Sequence, residues 1–356
     1  MNKKFMIKYV LLILLMTSTC FITYKVIAKV IDTDKKSEKV SINEENLNEE
    51  KISTKVNINY NDNYELKKYY NENNLDKKIV DFSNCLHSYI SIENLDSNTK
   101  NLIKELEDYY NSDDNNFSFY YLDLNTGFSI SYNETQEIFG ASVVKAPFII
   151  YLYKQASLGN INLDDELVYT SDFYYGGSGV MKNHEVGGSY SIRELCYYAI
   201  IESDNIAYKM LATKYGIANA REFWNKLDVN SIYKYDAMFS TITAIDGGKI
   251  MKYLYDFSLE DDVYGKEVMS YFTSALYNFI PKNDLIMAHK SGWSGTSIHD
   301  MAIKFDVNPY ILIVFSKRGE MEFESLFNFT SDKISSIHNL FWDANINYCI
   351  NEFKDN

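Results

Sequence analysis

Ser142 and Lys145, in the stretch GASVVKAPFII, have the spacing of a serine nucleophile with its own lysine base. On a helix, side chains three residues apart share one face, about one turn apart. A serine hydroxyl is a poor nucleophile until a base takes its proton, and a lysine desolvated near another cation can act as that base. The spacing alone is weak, because it recurs at Ser97–Lys100 and Ser231–Lys234.

The position of Ser142 adds to this interpretation, because a wholly apolar helical stretch follows it. The first turn of a helix offers free N–H groups and the positive end of the helix dipole to a developing oxyanion. Pro147 removes the backbone hydrogen bond that would otherwise reach Val143. We therefore predict that Ser142 lies at the start of a helix whose first turn is tight or bent.

A second group of polar residues is Ser203-Asp204-Asn205, between two apolar helical stretches. The first opens with the capping box Ser191-Ile192-Arg193-Glu194, and the second runs over 206–215. A serine in this turn could relay a proton to a leaving nitrogen, while Asn205 would hydrogen-bond a substrate amide. Taken alone, the turn has an ordinary interpretation as a helix N-cap and a loop.

A third group is His289-Lys290-Ser291-Gly292, at the end of a predicted strand. There Lys290 could bind a carboxylate and Ser291 could donate its hydroxyl proton, while Gly292 would let a substrate approach the backbone. The N–H of Trp293 could join that of Ser142 in an oxyanion hole. An ordinary turn is the alternative for this group alone.

The three groups occur in the order S-x-x-K, S-D-N, K-S-G, with 61 residues from Ser142 to Ser203 and 87 from Ser203 to Lys290. Over residues 95–345 the chain resembles the penicillin-recognising serine enzymes, namely class A β-lactamases and their D,D-peptidase relatives. The resemblance implies that Ser142 is acylated with Lys145 as its proton partner. It also implies that Ser203 and Asn205 act as proton shuttle and substrate contact, and that Asp204 braces the loop. It assigns carboxylate binding to Lys290 and Ser291, implies a β-lactam or peptidoglycan-peptide substrate, and implies no cofactor.

One element of the class A pattern is missing. Those enzymes carry a glutamate between S-D-N and K-[ST]-G that activates the deacylating water, but residues 227–248 contain none. Asp236 is the nearest carboxylate by position, and it could equally be an ordinary loop residue. Acylation can proceed without that base, whereas deacylation needs one. We therefore expect an exported class A-type serine hydrolase, with a D,D-peptidase, a penicillin-binding protein or a slowly deacylating sensor as the alternatives.

Hydrophobic periodicity predicts the scaffold that holds these groups. Two alternating stretches flank Asn125-Thr126-Gly127 and indicate a hairpin, and three further strands are predicted at 285–291, 301–306 and 310–316. Helices are predicted at 94–110, through most of 142–280 and at 323–342. The expected fold is α+β with three layers: a five-stranded antiparallel sheet built from both ends of the domain, flanked by helices, with an inserted helical lobe and a cleft between them.

The N-terminus and the composition indicate where the protein is located and which partners it can have. Lysines precede the apolar run 9–24, which predicts a signal or anchor over 1–28, then a polar stalk over 29–90 and a catalytic domain over 91–356. We expect a membrane anchor with an extracellular domain, or secretion if the chain is cleaved near Ala28. The net charge of −14 argues against nucleic acid as a partner. The histidines and cysteines show no metal-ligand spacing, and Cys196 is predicted to be a small core residue.

Overall fold

The computed structural model describes residues 56–59, 96–111, 116–306, 308–317 and 323–352. The α-helices are α1 (Ser97–Asn111), α2 (Lys145–Ser157), α3 (Ile192–Ile201), α4 (Asn205–Tyr215), α5 (Ile217–Asn225), α6 (Ala244–Glu260), α7 (Tyr264–Thr273) and α8 (Phe323–Glu352). The strands are β1 (Val56–Asn59), β2 (Phe117–Asp123), β3 (Ser129–Tyr132), β4 (Ile138–Phe139), β5 (Glu166–Val168), β6 (Ser189–Ser191), β7 (Thr241–Ile242), β8 (Ile286–Ser294), β9 (Ser297–Phe305) and β10 (Tyr310–Ser316).

The main sheet has the order β1-β3-β2-β10-β9-β8, and all its neighbouring strands are antiparallel. The five predicted strands are confirmed, and they come from both ends of the domain as expected. A sixth strand, β1, extends the sheet at β3 and lies in the stretch predicted as a polar stalk. Its sequence VNIN alternates, but it lies within a stretch dominated by polar and charged residues, which favours a solvated linker.

Both faces of the sheet are covered by helices. On β2, Phe119 and Tyr121 point into a cluster with residues of α1 and α8, such as Leu106 and Leu326. The alternate residue Tyr120 packs into the other cluster, which includes α6 and the helical lobe. Since successive side chains of a strand point to opposite faces, this one strand contributes to both cores. The predicted three-layer arrangement is therefore confirmed.

The helical lobe comprises α2 to α5 and α7, and its start signals act as the sequence predicts. Ser191 and Glu194 form a reciprocal capping box at the start of α3, and Gly216 ends α4 with a φ of 78°. Cys196 is fully buried in this lobe, as predicted. The predicted signal or anchor segment 1–28 lies outside the described residues. Among the residues that are described, no helix is long and apolar enough to cross a bilayer.

Candidate active site

Ser142 lies on a tight turn rather than inside an α-helix. Residues Ala141–Val144 form one 3₁₀ turn, and α2 begins only at Lys145. Pro147 is the third residue of α2, where its missing N–H costs no helical hydrogen bond. Ala141 has a φ of 46°, in the left-handed region. The bent first turn predicted from Pro147 is therefore present, and it leaves Ser142 partly exposed at a helix start.

Lys145 is completely buried beneath this turn. Its side-chain nitrogen donates to the main-chain carbonyl of Ser203 and to Asn205 Oδ1 at 2.7 Å. The same nitrogen lies 3.4 Å from Ser203 Oγ. Burial lowers its pKa well below the usual range, the charge of Lys290 lowers it further, and Asp204 acts in the opposite direction. The site therefore favours the neutral amine, which is the form that can accept a proton.

The S-D-N turn is held by Asp204, the N-cap of α4. One carboxylate oxygen accepts hydrogen bonds from Ile206 N at 2.8 Å and Ala207 N at 3.0 Å, and the other accepts from Met181 N at 2.8 Å. Ser203 has a φ of 52°, a left-handed conformation at the point where the chain turns between α3 and α4. The bracing role predicted for Asp204 agrees with these contacts.

The glycine-rich segment 176–179 lies against this turn. Asn205 Nδ2 donates to Gly176 O at 2.8 Å, and Asn205 N donates to Ser178 O at 3.1 Å. Gly179 has a φ of 112°, and a Cβ there would lie 2.1 Å from Asp204 Oδ2. The glycines thus allow a close approach that orients the Asn205 side chain toward Lys145.

The K-S-G group brings a second buried lysine to Ser203. Lys290 Nζ lies 2.9 Å from Ser203 Oγ and donates to Ser291 O at 2.9 Å. Burial lowers the pKa of Lys290 to about 7, against the opposing effect of Asp300. Ser291 Oγ donates to the carbonyl of Tyr277. A substrate carboxylate that accepts this proton must therefore replace Tyr277 as the acceptor.

Gly292 has a structural task that sequence reasoning missed. A Cβ at this position would lie 2.8 Å from Val143 N, 2.9 Å from Gly140 O and 2.9 Å from Ser142 N. Strand β8 can therefore pass directly behind the turn that carries Ser142 only because residue 292 has no side chain. Trp293 follows on the same strand, and its side chain is 57% exposed.

The region expected to supply a deacylation base, residues 227–248, places the aromatic ring of Phe239 beside Lys145, next to Tyr208 of α4. The rings of Tyr208 and Phe239 both have their centroids 6.0 Å from Lys145 Nζ. Asp236 is 54% exposed, and its carboxylate pairs with Arg221 at 2.6 Å. This geometry gives no support to Asp236 as the base, because its charge is engaged by an arginine at the surface.

Together, these segments surround Ser203 with two lysines and set Ser142 one turn from Lys145. Such an arrangement can generate a serine nucleophile and pass a proton to a leaving group. Among the described residues, no group of three or more histidine, cysteine, aspartate or glutamate side chains is placed to hold a metal ion.

A model of the beta-lactamase enzyme family matches residues 99–338, well over half of the 356-residue chain. The chain belongs to that family. The match spans all three motifs, so this beta-lactamase-family protein is a serine β-lactamase-like hydrolase. No curated protein sequence matches it significantly.

Solved structures agree with the fold. A structure of PBP-A, a mutant in an acyl-enzyme complex with penicillin G, is 18% identical with a TM-score of 0.62, covering 67% of this chain and 97% of its own. A β-lactamase from Chitinophaga pinensis is 19% identical with a TM-score of 0.58, covering 68% and 99%. An ancestral class A β-lactamase is 17% identical with a TM-score of 0.58, covering 66% and 98%. At these identities the likeness shows that this beta-lactamase-family chain shares their fold.

Proposed function

We propose that the protein opens β-lactam amides through an acyl-enzyme formed at Ser142. The observation that carries the proposal is the burial of Lys145 among Ser203 and Asn205, with Lys290 on the other side of the same serine hydroxyl. This arrangement favours a neutral Lys145 and joins it to a proton shuttle. No separate cofactor is needed for that chemistry.

In the proposed acylation step, Ser142 Oγ attacks the carbonyl carbon of the amide while Lys145 accepts the hydroxyl proton. The N–H groups of Ser142 and Trp293 stabilise the negative oxygen of the tetrahedral intermediate. The C–N bond then breaks, and Ser203 gives its proton to the leaving nitrogen, to be reprotonated from Lys145. Lys290 and Ser291 bind the substrate carboxylate, and Asn205 contacts the amide of its side chain.

The rate of deacylation distinguishes a β-lactamase from a penicillin-binding protein or a sensor. A water must be activated next to the ester, and the 227–248 region places the ring of Phe239 beside Lys145. Asp236, the nearest carboxylate by sequence position, is paired with Arg221. These contacts favour a slow deacylation, so we propose a penicillin-binding D,D-peptidase or a sensor of wall peptides as the second candidate. A mutant of PBP-A, which shares this fold, forms an acyl-enzyme complex with penicillin G.

We further propose an exported protein. The lysines and the apolar run 9–24 favour an N-terminal membrane anchor with the hydrolase domain outside the cell, and cleavage near Ala28 would instead give a secreted form. A fusion of residues 1–28 to a reporter enzyme, followed by fractionation of cells and medium, distinguishes the two. A reporter that stays in the cytosol would contradict export.

The test of the chemistry is an intact-mass time course of the full-length chain with penicillin G. An adduct on Ser142 that forms and disappears while ring-opened product accumulates supports a β-lactamase, and an adduct that persists supports the penicillin-binding alternative. Ser142→Ala is the matched control and must form no adduct. A wild-type chain that is folded but forms no adduct would refute acylation of Ser142 by β-lactams.

A further inference from the structure

We propose that His299, on β9, is a positioning residue for the turn that carries Ser142. The imidazole lies between two backbone groups from distant parts of the chain. Its Nε2 is 2.8 Å from the carbonyl oxygen of Phe139, and its Nδ1 is 3.3 Å from the backbone nitrogen of Ser316. Phe139 ends β4, three residues before Ser142, so the imidazole ties the entry of the nucleophile turn to the end of β10.

The register of the sheet strengthens this connection. His299 pairs with Gly292 on β8, and Gly292 is the residue whose missing side chain lets β8 pass behind the Ser142 turn. The imidazole is completely buried, and its ring centroid lies 5.0 Å from that of Phe315, edge to face. His299 is thus fixed by packing while its two nitrogens hold backbone atoms, which is the arrangement that preserves the position of a neighbouring turn.

The two contacts require one protonation state. A carbonyl oxygen only accepts, so Nε2 must carry the proton that goes to Phe139, and the N–H of Ser316 must donate to an unprotonated Nδ1. The neutral ring with its proton on Nε2 satisfies both bonds. A second proton on Nδ1 would face the N–H of Ser316 and break that contact.

The surroundings of the ring disfavour that second proton. Burial lowers the pKa of His299 to about 4, although its hydrogen bond to the Phe139 carbonyl acts in the opposite direction. Lys290, on β8, pairs with Met301 and so shares the face of His299 at a diagonal position. Asp246, on α6, is engaged by the backbone and hydroxyl of Ser231. The turn 139–144, β7 and Phe315 of β10 bring no charge to the ring.

The inference rests on acylation of Ser142 as proposed above, and three variants of the full-length chain test it. His299→Leu removes both hydrogen bonds, whereas His299→Gln keeps one donor and one acceptor. His338→Leu is the matched control, since His338 is another buried histidine that contacts a backbone carbonyl, that of Asn308, and the hydroxyl of Tyr121. It lies near the opposite end of β10, on the other face of the sheet.

We expect His299→Leu to slow acylation by penicillin G about tenfold or more at pH 7, because small misplacements of a nucleophile cost this much. His299→Gln should retain the rate within about threefold. Non-covalent binding of the ring-opened penicillin should change little in both variants, because its carboxylate contacts Lys290 and Ser291. Below about pH 5 the acylation rate of wild type should also fall more steeply than that of His299→Gln. The reason is that the histidine at position 299 can gain a proton there, whereas the glutamine cannot.

Two results would overturn the inference. One is a folded His299→Leu protein that acylates as fast as wild type, and the other is equal slowing by His338→Leu. If wild type forms no adduct, the proposed function fails. Amide hydrogen exchange of the peptide 139–144 then tests the positioning role of His299 without any need for acylation. Exchange that is faster in His299→Leu than in His338→Leu supports it, and equal exchange refutes it.

Discussion

Replacing Gly292 by alanine adds one methyl group where β8 passes behind the nucleophile turn. The methyl carbon would lie 2.8 Å from Val143 N and 2.9 Å from Ser142 N, whereas ordinary contacts begin at 3.4 Å. The atoms it meets are backbone, so no side chain can rotate away. Strand and turn must therefore separate by roughly half an ångström, a shift that a close-packed interior resists.

The expected size of the effect follows from that separation. Overpacking of this kind costs about 1–3 kcal/mol of stability, and a catalytic group displaced by about 1 Å can lose about a hundredfold in rate. For half that displacement we expect Gly292→Ala to form the penicillin adduct about tenfold more slowly. The free energy of unfolding should decrease by about 1–2 kcal/mol, near the lower end of the overpacking range.

Two quantities are measured for each variant: the acylation rate, by intact mass, and the free energy of unfolding, in urea. Gly176→Ala is the matched control, because a Cβ there meets nothing within 4 Å although its carbonyl accepts from Asn205 in the same cleft. The control should acylate at the wild-type rate. A folded Gly292→Ala protein that also acylates at that rate would show that the strand does not set the position of Ser142.

Further predictions concern the base, the loop carboxylate and acid stability. Lys145→Met should slow acylation by about 10²–10⁴-fold, as expected for loss of a general base, and an unchanged single-turnover rate would contradict that role. Asp236→Asn should leave the lifetime of the penicillin adduct unchanged, because Arg221 engages this carboxylate; a clearly longer lifetime would make Asp236 the base. Burial lowers the pKa of His338, so the unfolded chain binds more protons and the contribution of this histidine to stability is lost as pH falls below about 6.5. Tm should therefore drop less between pH 7 and 5 in His338→Gln than in wild type, and equal drops would refute this.

Local patterns predicted most of the scaffold because its elements have strong periodicity. The strands of the early hairpin alternate, β10 is an almost continuous apolar run, and Pro147 indicates the bent turn before α2. Val56–Asn59 is not among the predicted strands because its short alternation lies within a stretch rich in Lys, Glu, Asn and Asp, which favours a solvated linker. It joins the sheet only through its pairing with β3, which is a tertiary property.

The three motifs could be found in the sequence because each is a short local pattern. The groups that support them could not, since their contacts join distant segments. His299 contacts a carbonyl 160 residues away, and Phe239 lies beside Lys145 only after the chain between them has folded. The sequence predicts glycine at 292 for close approach of a substrate, and the structure adds the backbone of the Ser142 turn as a second reason.

The strand order of the main sheet also determines at which point of its synthesis the chain can first be acylated. β10 lies between β2 and β9, so the strand made last joins the early hairpin to the late one. A nascent chain that ends at Ser294 already contains S-x-x-K, S-D-N and K-S-G, yet it has neither β9 nor β10 to hold β8 against the nucleophile turn. Such long-range pairing is a late and slow event in folding. Labelling by penicillin would therefore count finished molecules and ignore partly synthesised ones.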